Sequence, residues 1–570
     1  MNYAQFTQRK IWVLFSVLII LLLLVACGTA ATSTPSSPTG ATPAGATPAE
    51  GGAAVPTTAP ASSPVPQNVS AYQAPEKLTI GLTDFGFEVP VGWRESAVAK
   101  HYMRFIYDSL VGLNDAGELD PAWGLAESWE MAPSGQQWTF KLKQGIKFHN
   151  GAEFTAADMK FTIGKLMQPE SVAAYKDRLT AFIGNVEQDV QTPDPNTLVV
   201  NLSQPSIWFQ WDLTDSQGLL GMPQPKAYTE EVGDEEFASN PVGTGPYRFV
   251  EQRIGDFMEL EAVQDHRREG TPAIKTVIFR KITEESTRIA ALRTNEVDTI
   301  SVSRENVPDV RESGSKVFTQ EGASVVGFYF HQQWDPVPIA DERVRKALNL
   351  AVNRDELCEF VFGGLCRPGI VYPVPNNMPV TQGLKEPYPY DPEQAQQLLK
   401  EAGHESGLEI TINSYPRADV PEGPRMIEAL AGYFEAIGVK ANILATEYTK
   451  YREARLAKTI PGQMGYLGAP MRPFPGFIGL MRSLNHSEGN FTSTKDPELD
   501  RLIQTTETTL DPQEAEETYR EYYNYLYDHY IHLTLLDLDI PYATNDNVPD
   551  DWNLSVRSWE PNWLDITRPR

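Results

Sequence analysis

Asn240-Pro241-Val242-Gly243-Thr244-Gly245-Pro246-Tyr247 is the stretch whose reading decides the fold. Gly243, Gly245 and Pro246 predict a sharp turn where a loop runs into a strand. Upstream, Gln136 to Phe148 alternates Trp138, Phe140 and Leu142, then Ile146 and Phe148 across Gln144-Gly145. That period of two predicts a β-hairpin. Thr155-Ala-Ala-Asp158 is a capping box that opens a helix carrying Met159, Ile163 and Met167. Asp194-Pro-Asn196 turns into a strand, Thr197 to Leu202. Residues 121–235 therefore read as a compact α+β insert. Before it, Leu78 to Leu82 reads as a strand, and Glu95 to Leu110 has a helical period.

Downstream of about 320, strands alternate with helices. Val325 to Phe330 is strand-like, and Asp341 caps a helix with Val344, Leu348 and Val352 on one stripe. Arg354 to Phe362 is helical and ends at Gly363-Gly364. Asp391-Pro392 starts another helix. Leu408, Ile410 and Ile412 form a strand, Pro424 to Ile437 a helix, and Val439 to Leu444 a strand. Pro512 to about His529 is a long helix before a last strand, Ile531 to Leu536. Strand-helix-strand units of this kind build an α/β sheet with helices outside.

Composition excludes several classes. Of 570 residues, 41% are hydrophobic and 22% charged, which fits a folded aqueous protein. With 48 Lys+Arg against 75 Asp+Glu, the net charge is −27, so no nucleic-acid partner is expected. Three cysteines are too few for a disulfide scaffold. Cys358 and Cys366 stand eight apart across the Gly363-Gly364 turn and form a possible disulfide in an oxidising compartment. The eight histidines show no metal-binding spacing, so neither metal nor cofactor is expected.

The first 75 residues read as an address and a tether. Arg9 and Lys10 precede an apolar run, Ile11 to Ala26, about 24 Å long as a helix and short of a bilayer core. That fits a secretory signal peptide, residues 1–26. Leu24-Val25-Ala26-Cys27 resembles the bacterial lipobox, which implies lipidation at Cys27 and an extracytoplasmic, membrane-anchored protein. Residues 27–75 are almost entirely Gly, Ala, Ser, Thr and Pro, a composition that stays disordered and spaces a folded body from its anchor.

Six blocks in order over about 250 residues resemble one family. Tyr107-Asp-Ser-Leu-Val-Gly-Leu113 with Pro121-Ala-Trp-Gly-Leu-Ala-Glu-Ser-Trp129 is similar to the opening signature of the family 5 extracellular solute-binding proteins. Trp138 to Gly151, Thr155 to Phe161, and Asn240 to Tyr247 continue it. Glu284 to Asp298 and Asp341 to Arg354 follow. The resemblance implies a periplasmic-binding-protein type II fold: two α/β lobes joined by a two-stranded hinge, plus the extra α+β domain. Lobe I is expected from 76–120, 236–320 and 537–570, the extra domain from 121–235, and lobe II from 321–536. It implies a monomer that closes on a small-molecule or peptide ligand and delivers it to the permease subunits of an ABC importer.

In peptide-binding members an aromatic in the second lobe is followed by an aspartate that holds the α-ammonium. The matching segment, Gly465 to Pro475, has Tyr466 but no acid, and Arg472 instead. Arg472 suits a carboxylate, a phosphate or an anionic sugar. Phe330-His331-Gln332 occupies the place of the family's Phe-Asn-Thr block. Trp93 and Arg94 follow the first strand, where ligand contacts are common, and Trp208 lies in an aromatic cluster with Phe209 and Trp211. Each has a plainer reading as core or surface pairing. Arg343 and Arg345 beside Asp341 and Glu342 are expected to be helix-surface pairs. Peptide is the leading ligand class, ahead of saccharides, opine-like acids and nickel chelates. A secreted hydrolase such as a glycosidase, or a sensor using the same cleft, are the competing functions.

Overall fold

The computed structural model describes residues 73–568 except 96–98, 174–175, 265, 268–271, 332, 334, 416, 418–419, 471–473, 490, 553 and 555–562. Its strands are β1 (Lys77–Leu82), β2 (Ala126–Met131), β3 (Gln137–Leu142), β4 (Val190–Asp194) and β5 (Thr197–Asn201). There follow β6 (Tyr247–Arg253), β7 (Phe257–Ala262), β8 (Thr276–Lys281), β9 (Thr299–Ser301) and β10 (Lys316–Phe330). The last are β11 (Cys366–Pro368), β12 (Leu408–Ser414), β13 (Val439–Ala445), β14 (Met464–Pro470) and β15 (His532–Thr544). The large sheet runs β13-β12-β14-β10-β15-β9-β1-β8-β7-β6, and β2-β3-β5-β4 form a separate antiparallel sheet.

Two long antiparallel strands, β10 and β15, serve both α/β lobes. The first part of β10, Lys316 to Gln320, pairs with Thr544 to Ile540, on the side of β9 and β1. Its second part, Ser324 to Phe330, pairs with β14. The register breaks between Gln320 and Ser324, where Gly322 takes φ +58°. In lobe I, β1 runs parallel to β8 and β9, over a core including Tyr102, Phe105 and Phe279. In lobe II, β12 runs parallel to β13 and β14. One face of that sheet carries Val326, Phe328 and Phe330 against helices that contribute Leu348, Leu399 and Leu430. Beyond the other face lies a tyrosine-rich layer with Tyr519, Tyr522 and Tyr523.

The extra domain packs β3, with Trp138, Phe140 and Leu142 turned inward, against the helix Ala156–Met167. Thr155 and Asp158 cap that helix reciprocally. The hairpin read across Gln144-Gly145 does not form. β3 pairs with β2 and β5 instead. After Gly145 the chain turns back on itself locally, with Phe154 N donating to Ile146 O and Phe148 N to Ala152 O. The short loop satisfies its own backbone groups, so alternation alone misassigned the partner.

Several boundaries move. The first helix spans Lys100–Ile106 rather than 95–110, and the last strand reaches Thr544. Arg343 pairs with Asp341 at 2.6 Å on the surface, as read. Arg345 does not: it is buried and donates to the carbonyls of Ile339, Ala340, His529 and Tyr530. Arg354 is likewise buried, donating to Thr534 O and Asn349 O, and burial pushes it down to about 10. Both arginines satisfy carbonyls where two helices meet the start of β15. Cys358 and Cys366 are joined by a disulfide, with Cα atoms 5.8 Å apart, linking the helix Arg354–Phe362 to β11.

Candidate functional site

The pairing register sets where a ligand can be held. Ser301, the carboxyl end of β9, pairs with Tyr542, while Thr299 pairs with Thr544, so β9 points at the register break. Pro470, the carboxyl end of β14, pairs with Ser324, so β14 points at the same break from the other lobe. Parallel strands place ligands beyond their carboxyl ends. The loops after β1, β8 and β9 and those after β12, β13 and β14 are therefore the two walls of the candidate site.

The break itself carries charge. Gly322 N donates to Asp539 Oδ1 at 2.7 Å, and Arg367 pairs with Asp539. Asp537, opposite Val325, is fully buried. Its Oδ2 accepts from Asn376 N at 2.8 Å, while Oδ1 has no partner among the described residues. Burial is the main cause that pushes this carboxyl up to about 7, with Asp539 adding to it and Arg367 opposing. A folded-state value above the unfolded one means the fold binds the proton more tightly. Stability from this group is then present below about pH 4 and lost as pH rises toward 7. Asp537→Asn, a neutral mimic of the acid, should flatten that loss, at most about 4 kcal/mol. Urea unfolding at pH 5 and pH 8 measures it; an unchanged slope in the variant would sink the assignment.

Across the site, the loop after β5 meets lobe II. The Trp208 ring stands edge-on to Phe474, centroids 5.4 Å apart, and Phe474 packs edge-on to Tyr519 at 4.7 Å. Trp208 Nε1 and Tyr519 OH are buried with no partner among the described residues. Buried donors of this kind cost free energy until a ligand or water meets them. Beside this seam Arg178 pairs with the buried Asp212 and abuts Gly479, where a Cβ would collide with it. Phe474 and Tyr519 had no signal in the sequence, because only the fold brings them to Trp208.

The other expected contacts lie elsewhere. Trp93 is buried in the extra-domain core, stacked on Phe237 at 6.1 Å. Arg94 pairs with Glu235 at 3.0 Å. Phe330 and Tyr466 are fully buried in lobe II, where Tyr466 stacks on Tyr415 at 4.8 Å. His331 meets Tyr451 OH at 2.9 Å, and burial holds it well below the usual histidine range, hence neutral. All five pack against or pair with other protein side chains, and of Trp93 only Nε1 is left without a partner among the described residues. Arg472 and Cys27 lie outside the described residues. Among the described residues no group of three or more His, Cys, Asp or Glu could hold a metal ion. A groove of about 730 Å³ lies away from the break, on the extra domain, where Lys160 and Lys165 are paired with Glu187 and Asp234.

Residues 120–489 match the family described as bacterial extracellular solute-binding proteins, family 5 middle. The chain is 28% identical over 444 residues to heme-binding protein A of Haemophilus influenzae, covering 73% of this chain and 78% of that protein. It is also 28% identical over 324 residues to the glutathione-binding protein GsiB of Pectobacterium atrosepticum, spanning 57% of this chain and 60% of that one. Among solved structures, the ABC transporter substrate binding protein CtaP of Listeria monocytogenes superposes with TM-score 0.73 at 20% identity. That match covers 86% of this chain and 99% of CtaP. DppA of Helicobacter pylori, in complex with the peptide STSA, superposes with TM-score 0.69 at 20% identity, covering 87% and 98%.

Proposed function

We propose, from the premise that this chain belongs to the family 5 bacterial extracellular solute-binding proteins, that it captures a solute between its lobes and passes it to an ABC importer. The observation that carries this is the break in β10 between Gln320 and Ser324, with the carboxyl ends of both parallel strand sets aimed at it. Two lobes sharing two strands can rotate about such a break, and a solute touching both walls stabilises the closed form. No bond in the solute needs to change. The family consists of binding proteins, which disfavours the glycosidase reading.

A peptide or peptide-like solute is the ligand class we put first, in keeping with relatives that carry glutathione or a peptide. Saccharides, opine-like acids and nickel chelates follow. The test is small-angle scattering of residues 76–570 stripped of bound solute, then titrated with a peptide mixture. The radius of gyration should fall on binding, and Trp208→Ala should weaken binding about tenfold or more. No contraction with any peptide, opine or sugar would overturn the reading.

We further propose that residues 1–26 are removed, that Cys27 is lipidated, and that 27–75 tether a monomeric body to the outer face of the membrane. Cys27→Ser should abolish incorporation of labelled palmitate in a bacterial host and release the protein from membranes. Labelling that persists in the variant would refute the anchor.

A further inference from the structure

Three carboxylates and one guanidinium meet at the break in β10. Asp537 and Asp539 stand on β15, Glu321 on β10 and Arg367 on β11. Arg367 pairs with Asp539 and reaches Glu321 at 3.9 Å, while its backbone lies opposite Asp537. The other cation nearby, Arg304, gives Nε to Asp539 O and Nη1 to Glu422. Both cations are thus engaged elsewhere. Asp537 keeps Asn376 N on Oδ2 and has no partner on Oδ1 among the described residues.

The remaining neighbours bring no cation. Val325 of β10 is paired opposite Asp537. The helix Pro512–Asp528 brings Tyr523, whose phenol is pushed up by burial and then by Asp537. A strap of lobe II, 365–376, closes over β15. Asp539 N donates to Leu365 O at 3.1 Å, Gly369 N to Leu535 O at 2.9 Å, and Asn376 Nδ2 to Pro368 O at 2.8 Å. An ionised carboxylate enclosed in this way lacks both water and a counterion of its own, so the enclosure favours the neutral acid. Hinge rotation must also disturb this residue. β15 serves both lobes, and the pairing with β10 resumes directly after the break at Ser324–Leu538 and Val325–Asp537. Rotation about the break shears those pairs and lets water reach the carboxylate.

We infer that Asp537 is a proton latch on the hinge: protonated, it holds the lobes as described here, with Trp208 against Phe474 across the site, and its ionisation favours their opening. The enclosed acid binds its proton more tightly than a hydrated one does. Opening is therefore suppressed below about pH 4, grows as pH rises toward 7, and levels off beyond. The inference rests on the capture reading above, and adds that closing on a solute draws a proton which opening gives back.

Hydrogen–deuterium exchange of the full chain, stripped of solute and followed in steps from pH 4 to pH 9, reads the hinge directly. After correction for the intrinsic rate, amides of β10 and β15 beside the break should exchange about tenfold or more faster at pH 7 than at pH 5. Amides of β3 in the extra domain should respond less. Asp537→Asn, a neutral mimic of the acid, should exchange alike at both pH values. Arg367→Gln removes the nearest cation and should move the levelling-off to higher pH, and it decides the matter should the asparagine variant fail to fold. An equal response in wild type and Asp537→Asn, a response at the break no larger than at β3, or a levelling-off in Arg367→Gln no higher than in wild type overturns the latch. Contraction by scattering at fixed pH is a separate readout. Contraction without a pH-linked break defeats this inference alone; a pH-linked break without contraction defeats the capture reading alone.

Discussion

Gly243→Ala should cost about 3–5 kcal/mol of folding stability, enough to leave much of the protein unfolded. The reason is contact, not conformation. Neither Gly243 nor Gly245 adopts a positive φ. A Cβ on Gly243 would collide with the carbonyl oxygen of Ile106 and stand 2.8 Å from its carbon. A Cβ on Gly245 would meet the carbonyl of Phe105 and come within 2.7 Å of Ile106 C. These obstacles are backbone, which cannot rotate aside as a side chain can. The turn is also held from its other flank. Gly243 N donates to His149 Nδ1, so His149 carries its proton on Nε2 and donates it to Gly245 O at 2.9 Å. Gly245 N in turn donates to Ile106 O at 2.9 Å. The clean control is Gly432→Ala, a helix position where nothing lies within 4 Å of the new Cβ. It should be neutral or stabilising by up to about 1 kcal/mol. Denaturant unfolding followed by tryptophan fluorescence decides, and a loss below 1 kcal/mol at Gly243 would refute the packing account.

The same octapeptide shows what the sequence discloses and what it withholds. A loop meeting a strand at 240–247 was readable from Gly and Pro, but the partner that makes glycine necessary, 136 residues upstream at Ile106–Tyr107, was not. Local signals fared well wherever one element decides the outcome. The box at Thr155 and Asp158 caps its helix, and Asp391 accepts from Gln394 N. Alternation failed at Gln144-Gly145 because it reports which face is buried and not which strand lies alongside. Charge placement failed most. The expected last strand stops at Leu536, yet β15 runs on through Asp537, which is fully buried beside the break. Arg345 reads as one of a helix-surface pair, but the chain entering β15 brings the carbonyls of His529 and Tyr530 to it. The aromatic seam of Trp208, Phe474 and Tyr519 joins segments some 300 residues apart in the chain. No periodicity within any one of them could have shown it.

Glu422→Gln is the second large expectation. Arg304, in the turn after β9, is 5% exposed and donates through Nη1 to both Glu422 oxygens at 3.0 and 3.1 Å; Glu422 is 6% exposed. Arg304 Nε also donates to Asp539 O at the break, and its guanidinium lies 5.7 Å from the Phe362 ring. One side chain of lobe I thus meets the N-cap residue of the lobe II helix Gly423–Ala436 and the shared strand β15 together. Removing one partner leaves a charge buried without its counterion, which should cost about 3–5 kcal/mol. Replacing both, Arg304→Met with Glu422→Met, should recover most of that, because the pair also bears the desolvation of two ions. The neighbouring pair Arg425–Glu305 spans the same lobes at 3.2 Å, but its side chains are 54% and 66% exposed. Water screens it, so its removal should cost less than about 1 kcal/mol. A double-mutant cycle on each pair tests the contrast. If Glu422→Gln costs no more than Glu305→Gln, the buried pair is not what fixes the lobes at the break. If it costs several kcal/mol and the double methionine variant restores stability yet blurs the contraction on binding, then this pair sets the hinge geometry more than it stabilises the fold.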